Sequence, residues 1–140
     1  MVVLNIRANT DFARKAMDFV DAELQQHDFP ADLRPDILIA IEEIFVNIAS
    51  YAYKPAEEGY VRLSVDINEK AVIQFEDSGL PFNPLESAAP DLDVPIMDRK
   101  IGGLGIHFVK SMMDNVEYQY EDKKNILTIS KSISAPDKVE

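Results

Sequence analysis

Glu43 and Asn47 are the first pair of residues in this sequence whose types and spacing could do chemistry. They lie four residues apart in a stretch whose apolar residues recur at helical spacing, so the two side chains share one face of a helix. A carboxylate there can accept a proton or orient a nucleophile, and an amide oxygen can ligate a hard cation. From this helix alone, a second interpretation stays open, in which both are boundary residues that point to water.

A second candidate group follows a predicted strand. Asp77 ends that strand, and Gly79 and Phe82 come directly after it in the stretch DSGLPF. A carboxylate at a strand end can accept a hydrogen bond from the exocyclic amine of an adenine, and a glycine lets a base approach the backbone closely. Asp-Ser-Gly is also a common turn sequence, so this group is weak evidence by itself.

The third group is a run of glycines that opens a predicted helix. Gly103 and Gly105 flank Leu104, and the helical pattern continues behind them. Backbone N–H groups at the start of a helix bind phosphates, because they are unpaired and lie at the positive end of the helix dipole. A tight turn is the other interpretation of this run. The three groups together are more specific than any one of them.

The elements that must position these residues follow from the apolar pattern. It predicts an α+β fold with, in chain order, a strand at 2–7, a helix ending near 27, a helix from 32 to 53, strands at 60–67 and 71–76, the glycine-led helix, and a hairpin of 116–120 and 125–131. Residues 83–101 contain three prolines and few large apolar residues, so they are either a lid or disordered. We expect a single domain over 1–133 and a frayed tail over 134–140.

Composition excludes several classes of partner and site. The 140 residues carry a formal net charge of −11, which disfavours nucleic acids and anionic membranes as partners. No cysteine is present, so disulfides, thiolate metal sites and a cysteine nucleophile are excluded. The sequence has neither a run of apolar residues long enough to span a membrane nor the apolar core of a signal peptide near its start. We therefore expect a cytoplasmic protein.

Three motifs together resemble those of the GHKL family of ATP-binding domains, which groups histidine kinases, gyrase-type topoisomerases and MutL. EEIFVNIASYAY resembles the first motif of that family, FEDSGLPFNP the second and GGLGIHFVKSMMD the third. Within the family, the sequence is most similar to the small bacterial anti-sigma-factor serine/threonine kinases. The resemblance spans about residues 1–133.

The resemblance implies a Bergerat fold, a two-layer sandwich in which a mixed, mostly antiparallel sheet is covered on one face by helices. It implies ATP and Mg²⁺ as ligands, with Glu43 as general base, Asn47 as Mg²⁺ ligand and Asp77 as the residue that reads adenine. The remaining site residues by resemblance are Gly79, Phe82, Arg99, Gly103, Leu104 and Gly105. Two features depart from the family pattern: Arg99 is displaced relative to the glycines, and Tyr51 replaces a common histidine.

The resemblance also implies a function and partners. The leading hypothesis is an anti-sigma factor that binds a sigma factor and phosphorylates a small antagonist, a STAS-type anti-anti-sigma protein, on a hydroxyl. Relatives commonly form homodimers, so a homodimer is a further expectation. The alternatives are a nucleotide-gated binding module with little or no phosphoryl transfer, and a histidine-kinase catalytic domain separated from its partners.

Overall fold

The computed structural model describes residues 1–54, 57–83 and 103–133 of the chain. A short 3₁₀ helix, Thr10–Phe12, follows the first strand. The remaining elements are β1 Val2–Arg7, α1 Ala13–Gln26, α2 Arg34–Tyr51, β2 Tyr60–Ile67, β3 Lys70–Asp77, α3 Gly103–Met112, β4 Asn115–Glu121 and β5 Lys124–Ser132. All of the predicted strands and helices are present, and α2 begins two residues later than predicted, at Arg34 rather than Asp32.

The five strands form one sheet in the order β1-β2-β3-β5-β4. Every pairing between these strands is antiparallel, which confirms the predicted α+β fold with a mostly antiparallel sheet. Apolar residues alternate along the strands, so one face of the sheet is buried. In β2 the buried positions include Val61, Leu63, Val65 and Ile67, and the helices supply the other half of the core.

Helix α2 is the central helix of the second layer, because it packs against both α1 and α3. Its apolar residues occupy more than one side, as expected for a helix with neighbours on both flanks. Ile37, Ile41, Ile44 and Phe45 are completely buried. None of the helices within the described ranges combines the length and apolar character needed to cross a membrane.

The alternation of β3 and β5 carries two polar side chains onto the buried face of the sheet. Asp77 continues the buried series of Ile73 and Phe75 in β3, and Asn125 precedes the buried Leu127 in β5. The two strands pair so that Asp77 and Asn125 are direct cross-strand partners. One end of the sheet therefore presents a carboxylate and a carboxamide, side by side, to the helical layer.

Tyr53 fixes the end of α2 to the turn that follows β3. Its hydroxyl accepts a hydrogen bond from the Ser78 N–H at 2.9 Å and donates one to the Tyr60 carbonyl, also at 2.9 Å. A side chain at Gly59 would overlap the Tyr53 ring, since an ideal Cβ there would lie 2.3 Å from ring atoms. The first residues after Asp77 are thus held in place by a side chain that lies two residues beyond the helix that carries Glu43 and Asn47.

Candidate functional site

Asp77 is a buried carboxylate with hydrogen bonds to only one of its oxygens among the described contacts. The residue is 4% exposed, and its Oδ1 accepts from the Gly79 N–H and from Asn125 Nδ2, each at 2.9 Å. Burial raises the pKa of Asp77, the two hydrogen bonds lower it in part, and the nearby Glu76 charge raises it further. Oδ2 is the atom left for a hydrogen-bond donor from a ligand.

Asn125 belongs to this site, although the sequence motifs did not identify it. Its Nδ2 donates to Asp77 Oδ1 and, at 2.8 Å, to the Leu80 carbonyl. Its Oδ1 accepts from the Phe82 N–H at 3.0 Å and from the Tyr118 hydroxyl. The signal in the sequence is an asparagine in phase with the apolar residues of β5, which predicts a polar group on a buried face.

Asn47 is buried, with 4% of its surface exposed. Its Nδ2 donates to the Glu43 carbonyl at 2.7 Å, which fixes the amide plane and leaves Oδ1 for a ligand. The alternative that Asn47 is a boundary residue pointing to water is therefore wrong. Glu43 itself is partly buried, and burial, followed by the Glu42 charge, raises the pKa of its carboxyl group.

Gly105 brings the first turn of α3 directly against the Glu43 carboxylate. A Cβ placed on Gly105 would lie 1.9 Å from Glu43 Oε2, so the end of the Glu43 side chain occupies the space that a side chain on Gly105 would take. The predicted glycine-led helix is confirmed, because α3 begins at Gly103 and continues through Leu104. The structure thus joins the first and third candidate groups at one point.

Gly79 permits a similar approach at the C-terminal end of α2. A Cβ on Gly79 would lie 2.2 Å from the carbonyl oxygen of Ala52, and the neighbouring Leu80 N–H donates to that same oxygen at 2.8 Å. Phe82, also predicted for the site, contacts the Tyr51 ring with a centroid separation of 5.9 Å. The turn after β3 is therefore docked on the last turn of α2.

Three predictions fall partly or wholly outside the residues that the structure describes: Arg99, the lid and the tail over 134–140. Arg99 lies in the stretch 84–102, outside the described ranges, and so does the predicted lid except for Asn83. The single-domain boundary at 133 and the predicted tail stay predictions as well.

The described residues could hold a magnesium ion only if the ion arrives bound to a larger ligand. In the part of the chain that the structure describes, no group of three or more histidine, cysteine or acidic side chains could hold a metal. Asn47 Oδ1 is a single neutral oxygen donor, and Mg²⁺ retains water and phosphate oxygens when it binds proteins through few side chains. The donor set therefore suits an ion that arrives with a phosphorylated ligand.

Comparison with known proteins identifies the family. Residues 6–131 match the model of the histidine kinase-like ATPase domain, which is most of the chain. The chain belongs to this family. This confirms the predicted GHKL-type resemblance.

Individual relatives are consistent with that assignment. The chain is 32% identical over 114 residues to an anti-sigma F factor of Clostridium beijerinckii, covering 81% of this chain and 78% of the relative. It is 37% identical over 101 residues to the serine-protein kinase RsbW of Halalkalibacterium halodurans. That alignment covers 69% of this chain and 60% of the kinase. The fold matches the RsbU and RsbW domains of Rv1364c from Mycobacterium tuberculosis with a TM-score of 0.64 at 14% identity, over 97% of this chain and 34% of that one.

The two glycines that touch α2 should respond differently to alanine. In Gly105→Ala, the new methyl group meets the flexible end of Glu43, which can move, and alanine favours the helix by about 1 kcal/mol. In Gly79→Ala, the methyl group meets the backbone of Ala52, so the free energy of unfolding should fall by about 1–3 kcal/mol. We expect urea denaturation to show unchanged or higher stability only for the first variant. Equal losses in both would contradict a yielding Glu43 side chain.

The raised pKa of Asp77 makes a prediction about stability and pH. A carboxyl group with a raised pKa in the folded state stabilises the fold below its unfolded pKa, and this contribution disappears as pH rises through the folded-state pKa. Asp77→Asn keeps an oxygen for the Gly79 and Asn125 donors and removes the buried charge. The stability of the variant relative to wild type should therefore increase with pH, as measured by denaturant unfolding across acidic and neutral pH. A constant difference would show that Asp77 titrates normally.

Proposed function

We propose that this protein is an ATP-binding anti-sigma factor with serine/threonine protein kinase activity toward a small antagonist protein. The observation that carries the proposal is the contact between the Glu43 carboxylate and the first turn of α3 at Gly105. The start of a helix is where phosphates bind, and Glu43 is the group beside it that can accept a proton. A base next to the phosphate end of a nucleotide site suits transfer to a hydroxyl better than binding alone.

The base of the nucleotide would bind at Asp77. Oδ2 of this carboxylate can accept from the exocyclic amine of adenine, while Gly79 keeps the adjacent backbone free of a side chain. A buried acceptor discriminates strongly, because a base without the amine would leave the carboxylate unpaired in a low-dielectric site. The site would therefore prefer ATP to a nucleotide that carries an oxo group at the same position.

The phosphates would lie between α3 and Asn47. The first N–H groups of a helix have no partner within the helix, and in α3 these include Gly103 and Leu104, while Asn47 Oδ1 supplies an oxygen for the Mg²⁺ that accompanies the phosphates. When bound, the ion would neutralise charge on the phosphate oxygens. Glu43 would accept the proton of the attacking hydroxyl, and its raised pKa makes it a stronger base than an exposed glutamate.

The names of the relatives support the choice of partners. One relative is named an anti-sigma F factor and another a serine-protein kinase, at modest sequence identity. We therefore propose a sigma factor as the bound partner and an anti-anti-sigma protein as the phosphate acceptor. ATP is a cytoplasmic metabolite, so the proposal implies a cytoplasmic protein.

Asp77→Asn tests the nucleotide site. The variant keeps its internal hydrogen bonds but presents an NH₂ group where the adenine amine needs an acceptor, so ATP affinity should fall by about 1–3 kcal/mol. Calorimetry with ATP and with ITP, whose base has an oxo group in place of the amine, measures this directly. Wild type should prefer ATP, and the variant should lose that preference. Unchanged ATP affinity in a folded variant would remove Asp77 from the site.

Substitutions of Glu43 and Asn47 should affect ATP binding and phosphoryl transfer differently. Glu43→Gln keeps size and polarity and removes the base, so Mg-ATP should still bind while transfer falls by about 10²–10⁴-fold. Asn47→Ala removes the oxygen ligand, so Mg²⁺-dependent affinity and transfer should both fall, with partial recovery at high Mg²⁺. Glu42→Gln, at the exposed neighbouring position, is the matched control: it removes only the smaller of the two causes that raise the Glu43 pKa, so transfer should fall far less than in Glu43→Gln.

The measurement is transfer from radiolabelled Mg-ATP to candidate antagonist proteins, followed by phosphoamino-acid analysis. Phosphoserine or phosphothreonine is the expected product. If Glu43→Gln transfers phosphate as fast as wild type, the carboxylate is not catalytic. A wild type that binds ATP without any transfer would instead support the nucleotide-gated binding module.

A further inference from the structure

Asn125 is a buried side chain, 4% exposed, whose hydrogen bonds converge from several parts of the fold. It contacts Asp77 at the end of β3, Tyr118 in β4, and the backbone of Leu80 and Phe82 in the turn after β3. All of its hydrogen-bonding groups are used within the protein. None of the three motifs that carry the family resemblance contains it.

We propose that Asn125 is a positioning residue for the nucleotide base: it orients the Asp77 carboxylate so that Oδ2 faces the ligand and holds the 80–82 turn in register with it. The inference rests on the proposed function, in which the base of ATP binds at Asp77. In this proposal, Asn125 controls the orientation of the Asp77 carboxylate. It also controls the pH range over which that carboxylate can accept a hydrogen bond from an amine.

The chemistry of the position explains why an asparagine is present. Nδ2 must donate to two oxygens, those of Asp77 and Leu80, while Oδ1 must accept from two donors. A carboxamide has both two donor hydrogens and an acceptor oxygen with two lone pairs, whereas a hydroxyl has one hydrogen and a carboxylate has none. At this size, asparagine alone can make all four hydrogen bonds.

The hydrogen bond from Asn125 favours the charged form of Asp77, which is the form that accepts from an amine. Among the described residues, Glu76 on the same strand raises the pKa of Asp77, and the Asp77 charge in turn raises the pKa of the Tyr53 hydroxyl, just after α2. Glu76 is itself paired with Lys124 at 3.8 Å. Asn125 is therefore one of two neutral donors, with the Gly79 N–H, that partly offset burial and the neighbouring negative charge.

Asn125→Asp tests the proposal because it reverses only the donor half of the side chain. The retained oxygen can still accept from the Phe82 N–H and the Tyr118 hydroxyl, but a carboxylate oxygen now faces Asp77 Oδ1 and the Leu80 carbonyl. Two adjacent carboxylates share one proton over a wide pH range. With that proton bound, the introduced group can again donate to Oδ1.

The pH dependence of ATP affinity should therefore change direction. Wild-type affinity should fall at low pH, as Asp77 becomes protonated. The affinity of Asn125→Asp should instead rise as pH falls, by up to tenfold per unit while the pair gains its proton, and should lie at least about tenfold below wild type near pH 8. Calorimetry gives both profiles, and their ratio at each pH cancels the titration of the nucleotide's own phosphates.

Asn115→Asp is the matched control, since it makes the same chemical change at an exposed position in β4. It should follow the wild-type profile. A wild-type profile in Asn125→Asp would overturn the proposal, and so would a parallel loss of affinity at every pH in a folded protein, because that loss shows a structural role alone.

Two further readouts distinguish failure of the Asn125 positioning role from failure of the proposed ATP-binding function. In wild type, the side-chain NH₂ signals of Asn125 in a ¹⁵N NMR titration should shift with the pKa of Asp77, and invariant signals would overturn the proposal even if Asn125→Asp does not fold. Absence of ATP binding by wild type, or ATP binding unaffected by Asp77→Asn, would instead reject the nucleotide site. The NMR titration would still decide whether Asn125 positions Asp77.

Discussion

The burial of the Asp77 carboxylate is the constraint on which the rest of the site depends. A buried carboxylate is unfavourable unless hydrogen bonds replace its hydration. None of the ion pairs described in the structure includes Asp77, so the Gly79 N–H and the Asn125 amide carry that task. The Asn125 amide is in place only because β3 and β5 pair in one register. A shift of one residue would turn Asn125 to the opposite face of the sheet.

Helix α2 has two roles that are usually served by different helix faces: it builds the core and it presents polar side chains. Its isoleucines and Phe45 build the core, yet the same helix carries Asn47 into the buried layer and Glu43 to its edge. The conflict is resolved by glycines on the neighbouring elements. Gly105 lets α3 approach Glu43, and Gly79 lets the turn after β3 approach Ala52. Backbone lies where side chains would otherwise fill the space, which leaves the polar groups of α2 available to a ligand.

The fold was largely predictable from the sequence, and the complete site was not. Alternation in β2 and helical spacing in α2 are local patterns, and both were interpreted correctly because burial acts on residues close in the chain. The position of Asp77 at the end of a strand was predicted for the same reason. Asn125 was missed because it is 48 residues from Asp77, and only the strand register brings the two together. The contact between Glu43 and Gly105 likewise depends on how α2 and α3 pack.

The two carboxylates of the candidate site also reduce the stability of the ligand-free protein. Burial raises the pKa of both Glu43 and Asp77, so the charged form of each carboxylate disfavours the folded state. A ligand that donates to Asp77 Oδ2 would favour the charged form and lower that pKa again. By linkage, a ligand that binds only the folded protein increases the free energy of unfolding, and tighter binding increases it further. In the proposed site, the same oxygen of Asp77 would therefore both destabilise the free protein and bind a donor ligand.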